Sequence, residues 1–263
     1  MRYEEKGLAE CGVSMVITSC KRHDLLYKTL QSFVTYNTYP IQEIIIVEDS
    51  AIKINDELLR GVLKASKLVD YTGCELIHIT NGCNIGQMKS IDKAYCLVKG
   101  MYIFHCEDDW VFHKEAFIER SLDILKLDEK IVTVWLRAYS DLCGHKISEV
   151  VDENNIAYRN VVPMGGWSGF TLNPGLRRTK DCFLLHPYAL QKHVDSSLKK
   201  RDTVSESDLS ILYGELGFRA VVTSESGGFL HHIGDGHHIA NVWESPTVVS
   251  VKNWIKKILK IVR

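Results

Sequence analysis

The chain has 263 residues, 45% of them apolar and 25% charged, with a formal net charge of -1. That size and composition suit one large α/β domain or two small ones, and near-neutrality gives no global field to recruit nucleic acid. The eight cysteines form no CxxC pair, which argues against a zinc cluster and for reduced thiols in a reducing compartment.

Residues 1–12 are polar and acidic, so no secretory signal is expected, and no apolar run is long enough to span a bilayer. A cytoplasmic location follows as the expectation. Residues 13–18 (VSMVIT) read as a buried strand, followed by the loop Ser19-Cys20-Lys21-Arg22. A helix comes next, with Asp24 as its N-cap and Leu25, Leu26, Leu30 and Phe33 at helical spacing. After Pro40 a second strand, 43–47 (EIIIV), ends in Glu48 and Asp49. The pattern then gives a helix over 55–68, a strand over 76–79, a Gly/Asn loop over 81–87 (NGCNIGQ) and a helix over 88–98. Strands alternating with helices at this spacing predict a mostly parallel sheet.

The next strand, 101–106, runs into Glu107, Asp108 and Asp109. Adjacent carboxylates repel and are costly to bury, so they sit best in water or around a cation. Here an apolar strand leads in and Trp110 follows, which favours the cation. Strand alternation puts Glu107 and Asp109 on one side and Asp108 on the other. Open α/β sheets bind ligands at this end of their strands. The acids after both strands therefore point to one edge.

A helix over 115–127 and a strand over 131–136 follow. From 137 to 181 the periodicity weakens among glycines, and such irregular segments are often functional. Helices over 187–198 and 206–216 and a strand over 218–222 close the pattern. Glu206 and Asp208 at a helix start suit the helix dipole, or a general base if that start faces a cleft. Trp167, among Gly165, Gly166 and Gly169, is either a core residue or a platform for a sugar face. His231, His232, His237 and His238 crowd a glycine-rich stretch, and one of them suits a Mn²⁺ sphere begun by Asp109. Residues 248–263 form a basic amphipathic stripe, suited to packing on the domain or to peripheral contact with anionic lipid.

Taken in order, VSMVITSCKR, IIIVEDS, Asn84-Ile85-Gly86, YIFHCEDDW, ESDLSILYGELGFRA and GGFLHHIGDG resemble the motifs of the GT-A-fold glycosyltransferases of family 2 over roughly residues 12–240. The resemblance implies a single GT-A domain over 1–246, with a nucleotide-sugar half (12–113), an acceptor half (114–246) and a terminal helix (247–263). It implies an inverting hexosyltransferase that uses Mn²⁺ or Mg²⁺ and a nucleotide-sugar donor, most commonly a UDP-sugar, in glycan or polysaccharide synthesis. It assigns Thr18, Cys20, Arg22, Glu48, Asp49, Asn84, Gly86, Lys89, Glu107 and Asp108 to the donor and Asp109 with His232 to the metal. His231 is the alternative to His232. Glu206 takes the place of the base with Asp208 in reserve, and Gly166, Trp167 and Ser168 fall to the acceptor. The first acid of the family's D-x-D motif is Glu107 here, and no glycine follows Asp49. A nucleotidyltransferase, which also places carboxylates and Mg²⁺ at such an edge, and a silent carbohydrate-binding domain are the alternatives.

Overall fold

The computed structural model describes residues 9–66, 69–194 and 203–235. Strands β1 (Ala9–Ser19), β2 (Glu43–Glu48), β3 (Glu75–Thr80) and β4 (Gly100–Glu107) alternate with helices α1 (His23–Tyr36), α2 (Asp56–Lys64) and α3 (Gln87–Tyr95). These four strands are parallel, and a later strand, Gly175–Arg178, adds to β4 antiparallel. With that strand numbered β9, the sheet order is β3-β2-β1-β4-β9. The mostly parallel central sheet is thus as expected. β2 is buried at every position, as a strand covered on both faces must be. Along β1, Val13, Met15 and Ile17 join one core with Leu26, Leu30 and Phe33 of α1. Val16 joins the opposite core with Ile91 and Tyr95 of α3, the two-residue period of a strand.

The register sets the site. Ser19 pairs with Glu48, and Thr18 pairs with Glu107, so the ends of β2, β1 and β4 lie side by side. Strand order reverses at β1, with β2 and β3 on one side and β4 on the other. The crevice between the ends of β1 and β4 is the switch point at which such sheets take their ligands.

A short ribbon follows, in which β5 (Trp110–Phe112) pairs antiparallel with the chain's last described strand, β11 (Leu230–His232). Beyond α4 (Phe117–Leu127), β6 (Ile131–Trp135) leaves the central sheet for a second one. That sheet has the order β6-β10-β8-β7, with β7 (Ile147–Glu153), β8 (Ile156–Val161) and β10 (Arg219–Thr223). Helices α5 (Thr179–Cys182) and α6 (Glu206–Glu215) complete the described elements.

Several expectations need correction. Residues 137–181 are not irregular throughout; they hold β7, β8 and β9. The β7–β8 turn is Asn154-Asn155, both at positive φ (53° and 62°), which suits a tight hairpin. Over 187–194, the described part of the helix expected at 187–198, a 3-10 turn forms at Tyr188–Leu190. The Asp92 carboxylate accepts the Tyr188 and Ala189 N–H groups at 2.6 and 2.9 Å and fixes the chain there. Helix α1 starts at His23, capped by Arg22, so Asp24 lies in its first turn. The basic stripe at 248–263, His237 and His238 lie outside the described residues. Among the described residues no helix is long and apolar enough to cross a membrane.

Candidate active site

The acid triplet is not a solvated turn. β4 ends at Glu107, and Asp108 and Asp109 follow with 0% and 6% exposure. Thr29 of α1 pins the turn: its hydroxyl donates to the Asp108 carbonyl at 2.9 Å and accepts from the Trp110 N–H at 3.1 Å. Arg22 reaches across from the end of β1. Its Nη2 and Nε engage Asp108, and its Nη1 lies 2.7 Å from Asp109 Oδ2. Burial raises the Asp108 carboxyl to about 6 in spite of the adjacent guanidinium. Burial also raises Asp109, but His232 and Arg22 outweigh it and leave Asp109 below its ordinary value. Glu107 accepts from Gln87 at 2.9 Å; burial, then Asp109 and Glu206, push its carboxyl up.

The β5–β11 ribbon places the two histidines differently. His232 lies opposite Trp110, with Nε2 3.2 Å from Asp109 Oδ2, whereas His231 lies opposite Val111 and stacks on His113. Asp235, which sequence reading passed over, has Oδ1 3.7 Å from His232 Nδ1. Gly234 packs directly against this pair: a Cβ there would lie 2.8 Å from His232 Nε2 and 2.7 Å from Asp109 Cγ.

Asp109 Oδ1 is buried with no hydrogen-bond partner among the described residues. A bare carboxylate oxygen beside an imidazole fits a divalent cation. No group of three or more His, Cys, Asp or Glu capable of holding a metal occurs among the described residues. Two protein donors suit an ion that takes its remaining oxygens from a substrate phosphate and water.

The acids after β2 behave differently. Glu48, fully buried, accepts from the Lys21 N–H at 2.8 Å and lies 3.0 Å from His23 Nε2. Asp49 accepts from Ile85 N (2.8 Å), Gly86 N (2.9 Å) and Asn81 Nδ2 (3.0 Å). The Ile85 and Gly86 N–H groups of the Gly/Asn loop are therefore spent on Asp49. Glu48 and Asp49 shape the loops around the crevice. Cys20 Sγ touches the Asp49 carbonyl (3.2 Å) and Asn84 Nδ2 (3.7 Å); Gly86 caps α3 at φ +95°, and Lys89 is exposed one turn on. Thr18 is buried in the sheet.

Glu206 opens α6 and accepts from the Leu172 N–H at 2.7 Å. Its charge is one of those that raise the Glu107 carboxyl. Burial raises its carboxyl, while Leu172 N–H, Thr171, Arg177 and Arg137 act in the opposite direction. Asp208, the reserve candidate, is fully buried in a capping box with Ser205 and accepts from Val194 N and Ser205 N. Arg137, two residues past β6, lies over the Trp110 ring at 5.1 Å and pairs with Asp141 at 2.9 Å. Its only sequence signal was a basic residue closing an apolar strand.

The acceptor expectations divide. Trp167 stacks on His145 (4.3 Å, 14°) and meets Trp135 edge-on (5.8 Å). Ser168 is buried and ties the segment to α6 by donating to the Ser210 carbonyl at 2.6 Å, so it does not face an acceptor. The Gly166 carbonyl passes so close to Gly214 that a Cβ there would lie 3.0 Å away.

No curated protein sequence matches the chain. Among solved structures it is similar to S. aureus TarS, with a TM-score of 0.52 and 13% identity over 85% of this chain and 37% of that one. It is also similar to the mannosyltransferase PcManGT from Pyrobaculum calidifontis, solved in complex with GDP-Man and Mn²⁺, with a TM-score of 0.55 and 12% identity over 81% of this chain and 55% of that one. The chain thus spans well under two thirds of either, and at such identities the likeness is one of fold. The family model for glycosyl transferase family 2 matches residues 14–163, more than half of the chain, and to that family the chain belongs.

Proposed function

We propose that the chain transfers a sugar from a nucleotide-diphosphate sugar to an acceptor hydroxyl, with inversion, using a divalent cation held by Asp109 and His232. What supports the reading is the approach of His232 to Asp109, from segments more than 120 residues apart, beside the β1/β4 switch point, with Glu206 close enough to influence the Glu107 carboxyl. The cation, Mn²⁺ or Mg²⁺, supplies positive charge to the diphosphate as it leaves. The protein's residues do the rest. Arg22 adds fixed positive charge beside Asp109. The loops that Glu48 and Asp49 hold in shape wall the nucleoside. Glu206, its proton affinity raised by burial, takes the proton from the attacking hydroxyl. A single displacement at the anomeric carbon inverts it. Trp167, backed by His145 and Trp135, offers its indole to the acceptor sugar.

Two variants test these roles separately. Asp109→Ala loses Mn²⁺-dependent binding of the donor nucleotide in calorimetry; unchanged affinity sinks the metal assignment. Glu206→Gln keeps donor binding while transfer falls about a hundredfold or more; persistent transfer removes Glu206 as base. Release of nucleoside diphosphate, rather than pyrophosphate, distinguishes glycosyl from nucleotidyl transfer.

A further inference from the structure

We infer that Arg22 makes cation and diphosphate binding interdependent, its guanidinium holding Asp109 until a diphosphate offers it a second anion. This rests on the reading above that Asp109 takes the cation. Arg22 is anchored at Asp108, which is fully buried and engaged by both Nη2 and Nε. The remaining arm, Nη1, lies 2.7 Å from Asp109 Oδ2, the oxygen that His232 Nε2 also approaches at 3.2 Å. Any cation bound to Asp109 therefore meets a fixed positive charge on the same carboxylate, and the two repel strongly in so buried a setting.

The backbone holds the arginine in that post. Lys21, just before it, sits at φ +58°, a conformation that a non-glycine residue rarely adopts. The fully buried Glu48 keeps it there by accepting the Lys21 N–H at 2.8 Å. The side chain is 19% exposed, at the mouth of the switch-point crevice. A guanidinium is a planar fork that matches phosphate oxygens as well as carboxylate oxygens. When a diphosphate enters, Nη1 can exchange Asp109 Oδ2 for a phosphate oxygen while Nε and Nη2 stay on Asp108. That exchange frees Asp109 for the cation, and the cation in turn strengthens the diphosphate's hold. Binding linkage is reciprocal, so each ligand raises the affinity of the other through this side chain.

The test measures bound Mn²⁺ by the loss of its free-ion paramagnetic resonance signal, on the full chain, with and without UDP as the probe. Wild type, Arg22→Gln, Arg22→Lys and Asp109→Asn are compared, so complexation of Mn²⁺ by UDP in solution is common to all. For wild type, UDP is expected to raise Mn²⁺ affinity about tenfold or more. Arg22→Gln is expected to bind Mn²⁺ alone about tenfold more tightly than wild type and to gain only a few-fold from UDP. Arg22→Lys keeps the charge without the fork and falls between, which covers the case in which the glutamine variant does not fold. Equal enhancement by UDP in wild type and both Arg22 variants overturns the inference, as does no enhancement in wild type. Asp109→Asn binding Mn²⁺ as well as wild type overturns the metal assignment and this inference together. A loss confined to Asp109→Asn, with the Arg22 variants unchanged, overturns the inference alone.

Discussion

Two strands of the central sheet end in acids at the same edge, and the structure treats the two ends in opposite ways. After β2, Glu48 and Asp49 are surrounded by donors: Lys21 N, Ile85 N, Gly86 N and the Asn81 amide all point at them. After β4, Asp109 has one buried oxygen with no hydrogen-bond partner among the described residues and shares the other between Arg22 and His232. An acid at a strand end is therefore not a ligand by its position alone. The decisive factor is whether neighbouring loops supply N–H groups to satisfy it. The first pair builds the crevice and the second is left for a partner from outside.

The sharpest way to break this contrast is by stability. Asp49→Ala leaves three donors without their carboxylate and is expected to lower the unfolding free energy by about 3 kcal/mol. Asp109→Ala is expected to cost about 1 kcal/mol or less, because Arg22 keeps Asp108. Urea unfolding of both reads the difference, and equal losses would mean that the two ends are alike. Next in size is Gly234→Ala, whose new methyl group would collide with Asp109 and His232. Mn²⁺ affinity is expected to fall about tenfold, as when the support of a metal ligand is disturbed, with a much smaller change in melting temperature. Retained affinity would place the cation elsewhere.

The smallest effect is one of pH. Burial raises the Glu206 carboxyl, so transfer is expected to fall on the acid side of that raised value, above the ordinary carboxylate range. Arg177→Met removes a positive charge that lowers it, and the acid limb is expected to move further up. Stability runs with the opposite sign. A raised acid stabilises the fold below its unfolded value, and that contribution is lost as pH climbs through the folded value. Glu206→Gln should remove that part of the drift. An acid limb identical in wild type and Arg177→Met would detach Glu206 from the rate.

The sequence carried the central sheet well because apolar strands such as IIIV and VSMVIT leave little choice of structure. It also carried Asp109, whose neighbours Trp110 and the preceding strand made a solvated turn unattractive. It was poor wherever the outcome depended on partners distant along the chain. β7 carries three acids in seven residues and no strict alternation, so its pattern hid the hairpin. The choice between His231 and His232 turns on a one-residue register against β5. The cap that Asp208 makes with Ser205 follows a local spacing, but its bond from the Val194 N–H, fourteen residues away, does not. Arg22 was legible as a basic residue in a loop, but its grip on two carboxylates of another strand was not.

The ribbon of β5 and β11 has a consequence for how the site comes and goes. Among the described residues three pairs join it, with Ile233 N donating to the Asp109 carbonyl at 2.8 Å and His113 N to that of Phe229 at 3.0 Å, and a single bridge ties Leu230 to Arg137. So short a ladder opens locally at far lower cost than the sheet beside it, and every opening parts the imidazole from the carboxylate. Deuterium uptake at those two amides is therefore a direct gauge of the assembled centre. It should slow when Mn²⁺ and a nucleoside diphosphate are added together, while the core of β2 exchanges as before.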